Sequence, residues 1–151
     1  MIKGLYEAHL PVSNLLESIE FYKKLGLEVA YQKEKLAFFW IEKEHSWLGL
    51  WETDKVETPY HPSLRHIAFR VDIDNMEKAK DWLEQKGIKI KTDFGFPPEK
   101  QPLVLPNYPH AHAAIYFEDP DGNSLELIAP LKVDFKEEFQ MMSLEEWNSK
   151  K

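Results

Sequence analysis

Cysteine is absent from this chain of 151 residues. That excludes a disulfide scaffold, a cysteine nucleophile and a thiolate metal centre together. No apolar run approaches the ~18 residues that span a bilayer, so no membrane partner is expected. Positive charge is scarce: Lys plus Arg number 19 against 26 Asp plus Glu, a formal net charge of -7. An acidic chain without a basic patch is not expected to have nucleic acid as a partner. The opening segment MIKGLYEAHL lacks an apolar stretch of signal-peptide length, and a cytoplasmic protein is expected. What remains is 43% hydrophobic and 30% charged residues, an ordinary soluble globular mixture for about one domain. With thiols missing, polar chemistry falls to the 6 histidines and the carboxylates.

The chain repeats itself once. The first copy opens with YEAHLPV, a strand pattern carrying His9, followed by the helical pattern SNLLESIEFYKKLG. Ser13 or Asn14 suits its N-cap, Gly26 its left-handed stop, and Leu15, Ile19, Tyr22 and Leu25 share one helical face. LEVAYQ, KLAFFWIE and SWLGLWE follow as strands. The second copy opens with LRHIAFRV, carrying His66, then the helix DNMEKAKDWLEQKG. Asp74 and Glu77 have capping-box spacing, Met76, Ala79, Trp82 and Leu83 form the apolar face, and Gly87 is the stop. Its strands are IKIKTDF, AHAAIYFE and NSLELIAP. Each copy therefore reads strand, helix, strand, strand, strand: module 1 over about 3–52 and module 2 over about 64–130, joined by the polar linker 53–63 within a single domain, 1–130. Residues 94–111 are too Pro-rich for a plain hairpin turn, and a long loop there suits either a cover over a site or a surface role. The tail 131–151 carries Phe135, Phe139, Leu144 and Trp147, with capping-box spacing at Ser143 and Glu146. It is expected to end in a short helix docked on the domain or on a partner chain.

Strand alternation sorts the side chains. Leu10 and Val12, Ile67 and Phe69, Ile115 and Phe117, Leu125 and Leu127, and Leu48 and Leu50 turn toward the helices. The opposite faces receive Glu7 and His9; Leu64, His66 and Ala68; His112, Ala114 and Tyr116; Ser124, Glu126 and Ile128; and Trp47, Gly49 and Trp51. A carboxylate between leucines, as at Glu126, is unfavourable unless paired or ligated. An aromatic sheet face holding a few polar groups has the make-up of a ligand pocket. On it, His112 suits substrate orientation or a base, and Trp47, Trp51, Phe38 and Trp40 suit substrate binding, although aromatic strands are also common core. Phe94 and Phe96 around Gly95 suit a lid. His45, His61 and His110 fall in turns or loops and suit the surface.

The segments HLPVSNLLESIEFYKKLGLEV, LRHIAFRV and IYFEDPDGNSLELIAP together resemble the vicinal oxygen chelate superfamily. That superfamily includes glyoxalase I, extradiol dioxygenases, fosfomycin-resistance thiol transferases and bleomycin-resistance proteins. The resemblance implies an α+β fold of paired βαβββ modules whose mixed sheets curve into a cup around a divalent metal. By position, His9, His66 and Glu126 match the family's metal ligands. The first-copy glutamate position holds Gly49 instead, and alternation turns Glu52 away. Two histidines and one carboxylate leave coordination positions open, as in the fosfomycin-resistance and dioxygenase arrangements. Tyr116 matches a tyrosine of the fosfomycin subgroup. Pro11 and Phe135 depart from that subgroup's pattern, and Lys100 and Arg70 are the candidate partners for an anionic substrate.

The resemblance implies a metal-dependent enzyme acting on a small oxygen-chelating substrate by lyase, isomerase, thiol-transfer or dioxygenase chemistry. His9, His66 and Glu126 would be the ligands, and His112 and Tyr116 the catalytic groups. Zn, Mn, Fe, Co and Ni all suit the donors. The alternative is a metal-free, bleomycin-resistance-like protein that sequesters a small aromatic or cationic molecule. In either case the resemblance implies a homodimer, in which the site lies either within one chain or between two, with His9 of one chain meeting His66 and Glu126 of the other.

Overall fold

The computed structural model describes residues 1–61, 63–106, 111–132 and 139–150. It divides into two compact units, Met1–Arg65 with Asp119–Asn123, and His66–Glu118 with Ser124–Lys151. No helix among the described residues is long and apolar enough to cross a membrane. The expectations for His110 and Phe135 lie outside the described residues.

In the first unit the order is β1 (Glu7–Val12), α1 (Leu15–Lys24), β2 (Glu28–Gln32), β3 (Leu36–Glu42) and β4 (Ser46–Glu52). The strands form one mixed sheet in the order β1-β4-β3-β2, with β1 parallel to β4 and the others antiparallel. Asn14 caps α1, its side chain accepting from the Glu17 backbone N–H at 3.1 Å. Gly26, at φ 88°, makes the left-handed turn that stops the helix. Leu15, Ile19 and Tyr22 bury one face of α1 among Leu10, Val12, Phe39, Leu48 and Leu50. Glu52 caps the same helix from β4, accepting from the Leu15 N–H at 2.9 Å, so its carboxylate is spent on the helix start.

The turn Asp119–Asn123 belongs to this unit through its side chains. Asp119 is 5% exposed and accepts from the Tyr22 hydroxyl at 2.8 Å and the Asn123 amide at 2.7 Å. The Asn123 amide also donates to the Pro11 carbonyl at 2.9 Å, and Ser13 donates to Asp121. The DPDGN sequence is therefore more than a tight turn. It is a polar plug, and burial pushes the Asp119 carboxyl above its ordinary range while its hydrogen bonds pull the other way.

The second unit runs β5 (His66–Arg70), α2 (Ile73–Gln85), β6 (Leu103–Leu105), β7 (His112–Glu118), β8 (Ser124–Pro130), β9 (Met142–Ser143) and α3 (Leu144–Ser149). Its mixed sheet has the order β5-β8-β7-β6-β9, with β5 parallel to β8. The second copy thus departs from the first in its middle. IKIKTDF is no regular strand. Ile88 and Ile90 are buried, but only Ile90 bridges to Phe117, and a tight turn at Asp93–Phe96 carries the chain away. Leu103–Leu105, inside the Pro-rich stretch, takes the strand's place because all three side chains are buried. Leu64 precedes β5 rather than sharing its face, after Arg65 takes φ 52°. Asp74 and Glu77 form no capping box, since α2 begins earlier, with Asp72 at the N-cap. Trp82 turns outward under the Lys86 ammonium, 4.8 Å from its ring centroid, and leaves Met76, Ala79 and Leu83 to pack inward. In the tail, β9 pairs with β6, Ser143 caps α3, and the Phe139 and Trp147 rings meet at 4.8 Å. The terminal helix therefore docks on its own chain.

Candidate metal-binding and substrate face

In the second unit, parallel pairing sets Ala68 of β5 opposite Glu126 of β8, and antiparallel pairing sets Tyr116 of β7 opposite Glu126. Period-two alternation then places His66, His112, Tyr116 and Glu126 on one face. His66 Nε2 lies 3.0 Å from Glu126 Oε2, and His112 Nε2 lies 3.8 Å from Glu126 Oε1. Glu126 is 5% exposed, and its Oε1 has no hydrogen-bond partner among the described residues. His66 is further held by Ser124 Oγ, 3.1 Å from its Nδ1. The Tyr116 phenol is shifted strongly upward, first by burial and then by the Glu126 charge, so it stays a neutral donor. Phe94 meets the Tyr116 ring edge-on at 5.7 Å, and Phe96 packs on the cluster of Leu103, Leu105, Ala114 and Tyr116.

The sequence offered no signal for the device that holds this loop. Gln101 is 4% exposed; its amide donates to the Lys91 and Phe96 carbonyls at 2.7 and 3.3 Å, and its oxygen accepts from the Tyr116 N–H at 3.1 Å. Lys100 and Arg70 are both exposed.

In the first unit, His9 stands on the open face of the sheet. Its Nε2 is 3.0 Å from Glu7 Oε1, and its ring lies 5.7 Å from both Phe38 and Trp51. Gly49 is its cross-strand neighbour, and a Cβ there would come within 2.8 Å of His9 Cδ2. The position that would hold a glutamate under the resemblance is therefore filled by the His9 ring. Phe38 and Trp47 pack at 4.6 Å, Trp40 and Trp47 stack at 5.4 Å, and Tyr6 meets Trp47 at 5.6 Å. Trp51 remains 45% exposed. None of β1 to β4 carries a Lys or Arg. His45 and His61 are exposed.

The structure thus gathers His66, Glu126, His112 and Tyr116 in one unit, and His9 with Phe38, Trp40, Trp47 and Trp51 in the other. Among the described residues, no group of three or more His, Cys, Asp or Glu is gathered to hold a metal ion. The donors in the second unit nonetheless suit a divalent cation. They are an imidazole nitrogen and a buried carboxylate with one oxygen free of hydrogen bonds among the described residues, the nitrogen–oxygen set that such ions take.

Known proteins are similar to this chain along most of its length. The metallothiol transferase FosB of Staphylococcus haemolyticus is 32% identical over 133 residues, spanning 84% of this chain and 84% of that protein. FosB of Staphylococcus saprophyticus is 27% identical, spanning 98% of this chain and 93% of that protein. Among solved structures, an integron cassette protein from the Halifax Harbour sewage outfall metagenome superposes with a TM-score of 0.66 at 28% identity, covering 85% of this chain and 99% of that one. The fosfomycin resistance protein FosX of Listeria monocytogenes, complexed with Mn(II) and sulfate ion, superposes with a TM-score of 0.62 at 25% identity, covering 87% and 94%. The family model for the Glyoxalase/Bleomycin resistance protein/Dioxygenase superfamily matches residues 4–127, and with this α+β fold of mixed sheets the chain belongs to that superfamily.

Proposed function

We propose that the protein is a divalent-metal-dependent enzyme of the thiol-transfer type, acting on a small electrophile that carries oxygen donors. Glu126 carries the proposal. Its carboxylate is nearly buried, with one oxygen that makes no hydrogen bond among the described residues and has only the His112 ring nearby at 3.8 Å, and with the His66 imidazole at 3.0 Å from the other. Such a charge is costly unless a cation compensates it. His66 and Glu126 would hold the ion. His9 is the third ligand by its place in the family pattern, supplied by a second chain in a homodimer, and residues 1–130 act as one domain. Mn, Zn, Fe, Co and Ni remain open, and the cytoplasm is the proposed location. The metal, when bound, supplies Lewis-acid polarisation of a substrate oxygen.

The remaining work falls to this chain's own side chains. His112 is 9% exposed and takes the proton of the incoming thiol at Nε2. With an epoxide as substrate, the thiolate sulfur bonds to one ring carbon as that carbon's C–O bond breaks. The released oxygen receives the proton that His112 took. Tyr116 stays protonated and donates a hydrogen bond to that oxygen as its charge develops. The aromatic open face of β1 to β4, without Lys or Arg, supports a flat, neutral or cationic substrate over a small dianion. Glyoxalase-type lyase, isomerase and oxygenase chemistry are the less favoured members of the same proposal, because the relatives named above are metallothiol transferases and fosfomycin resistance proteins.

The test is thiol consumption by the Mn-loaded protein over a panel of epoxides, fosfomycin included. Electrophile-dependent thiol loss that chelation abolishes is expected; metal-independent or absent turnover overturns the proposal. Metal-free sequestration is the second possibility, favoured by the same aromatic face and the -7 net charge. It calls for saturable binding of a flat cation by a protein that holds no metal.

A further inference from the structure

We infer that Ser124, itself held by Lys91, is the positioning residue that partners Nδ1 of His66 in both ring tautomers, so that Nε2 keeps its aim at Glu126 whether it carries a proton or meets a cation. The inference rests on His66 being a metal ligand, as proposed above. Its own ground is a chain of contacts within one unit. Lys91 Nζ lies 3.3 Å from Ser124 Oγ, Ser124 Oγ lies 3.1 Å from His66 Nδ1, and His66 Nε2 lies 3.0 Å from Glu126 Oε2. Lys91 is anchored on its other side by Asp93 and Glu118, each at 3.7 Å.

Hydrogen-bond counting gives this chain its meaning. A hydroxyl has one proton and two lone pairs, and an ammonium can only donate. Lys91 therefore takes one lone pair of Ser124, leaving one proton and one lone pair to meet His66 Nδ1. Without a metal, the hydroxyl donates to Nδ1, and the ring proton on Nε2 points to the Glu126 carboxylate. That is the hydrogen-bonded arrangement the 3.0 Å separation describes. With a cation between Nε2 and Glu126, the ring proton moves to Nδ1 and donates to the second lone pair of Ser124. Both forms of the neutral ring are thus satisfied by one hydroxyl, and the ring need not turn over between them. A partner on the second nitrogen of a ligating histidine fixes its tautomer and direction, and losing one costs about 10–100-fold in metal affinity.

This role could not be read along the chain. Ser124 precedes Glu126 by one alternation step, and Lys91 lies far from both in sequence. Only the parallel register His66↔Ser124 brings the hydroxyl under the imidazole.

The test follows the His66 ring nitrogens by 15N NMR, with zinc as a diamagnetic probe, in the full chain and in Ser124→Ala, Ser124→Thr and Lys91→Met. The wild type is expected to show the Nε2-protonated ring without metal and the Nδ1-protonated ring with zinc. Ser124→Ala should keep the Nε2-protonated ring without metal, because Glu126 still accepts that proton, but bind zinc about 10–100-fold more weakly. Ser124→Thr, which keeps the hydroxyl, should restore the affinity, and Lys91→Met should fall between. If Ser124→Ala does not fold, the wild-type tautomers and the other two variants decide the matter. An Nδ1-protonated ring in the metal-free wild type, or a Ser124→Ala protein with wild-type zinc affinity, overturns the inference. Unchanged zinc affinity in His66→Ala strikes instead at the proposed metal site, while the metal-free tautomer still reports on Ser124.

Discussion

The imidazole of His9 occupies the space that a side chain at Gly49 would need, with Cδ2 of the ring 2.8 Å from where the Cβ would stand. Phe38 Cε1 bounds the same space, 2.9 Å from where the Cβ would stand, so a Cβ there must push at least one of the two rings aside. Gly49→Ala is therefore expected to displace His9 and to cost about 1–3 kcal/mol, as overpacking does. Thermal unfolding of the variant checks the stability loss, and the His9 imidazole resonance checks the displacement. An unshifted resonance would show that the ring does not depend on this gap.

The buried turn makes a second expectation. Removing the Tyr22 hydroxyl leaves Asp119 Oδ2 with one donor fewer in a site that is 5% exposed. Tyr22→Phe should cost about 1–3 kcal/mol, the penalty for a buried group that loses its partner. Equilibrium denaturation with an unchanged m-value is the measurement.

Asp119 also gives a pH dependence of unusual sign. Burial raises its folded-state carboxyl above the ordinary 3.8, so the folded chain binds this proton more tightly than the unfolded chain. The group's contribution to stability is largest below pH 3.8 and falls as pH rises through the window between 3.8 and the raised folded value. The stability difference between wild type and Asp119→Asn should therefore shrink, or turn against wild type, as pH rises through that window. Denaturation midpoints of both proteins across acidic pH test this. A difference that grows with pH would mean that the hydrogen bonds from Tyr22 and Asn123 outweigh burial.

Much of this fold was legible in the sequence. The repeat, the two glycine helix stops and the alternation of β1, β4, β5, β7 and β8 all follow local rules, because each strand has one face against a helix. The misreadings have a common physical source. Ile88 and Ile90 alternate as a strand should, yet a strand needs a continuous partner, and the turn at Asp93–Phe96 ends the pairing after one bridge. Leu103–Leu105 is hidden among prolines, and only burial on both faces makes it a strand. Trp82 fits the apolar stripe of α2 by angle but lies at its edge. At the candidate site, His66, His112, Tyr116 and Glu126 could be assigned to one face by alternation. Alternation also put Ser124 on that face, but its contact with His66, and the places of Lys91 and Gln101, could not be read, since register and loop path, not local pattern, set them.

Gln101 gives a fourth expectation. One side chain ties Lys91, Phe96 and Tyr116 together. Gln101→Ala should leave the Tyr116 N–H unpaired, cost about 1–3 kcal/mol and loosen the segment that carries Phe94 and Phe96. Hydrogen exchange is the readout: faster exchange at Tyr116 and at Phe96 is expected, and unchanged protection would place the restraint elsewhere.

The central claim is that His66 and Glu126 share one cation. Elemental analysis of protein purified without chelator or metal-affinity tag, for the wild type, His66→Ala and Glu126→Gln, addresses it directly. Folding of each variant is verified by circular dichroism. The wild type should carry one transition-metal ion per site, and both folded variants should lose it. Folded variants that retain the wild-type metal content, or a wild type that takes up none when Mn or Zn is supplied, would refute the shared site.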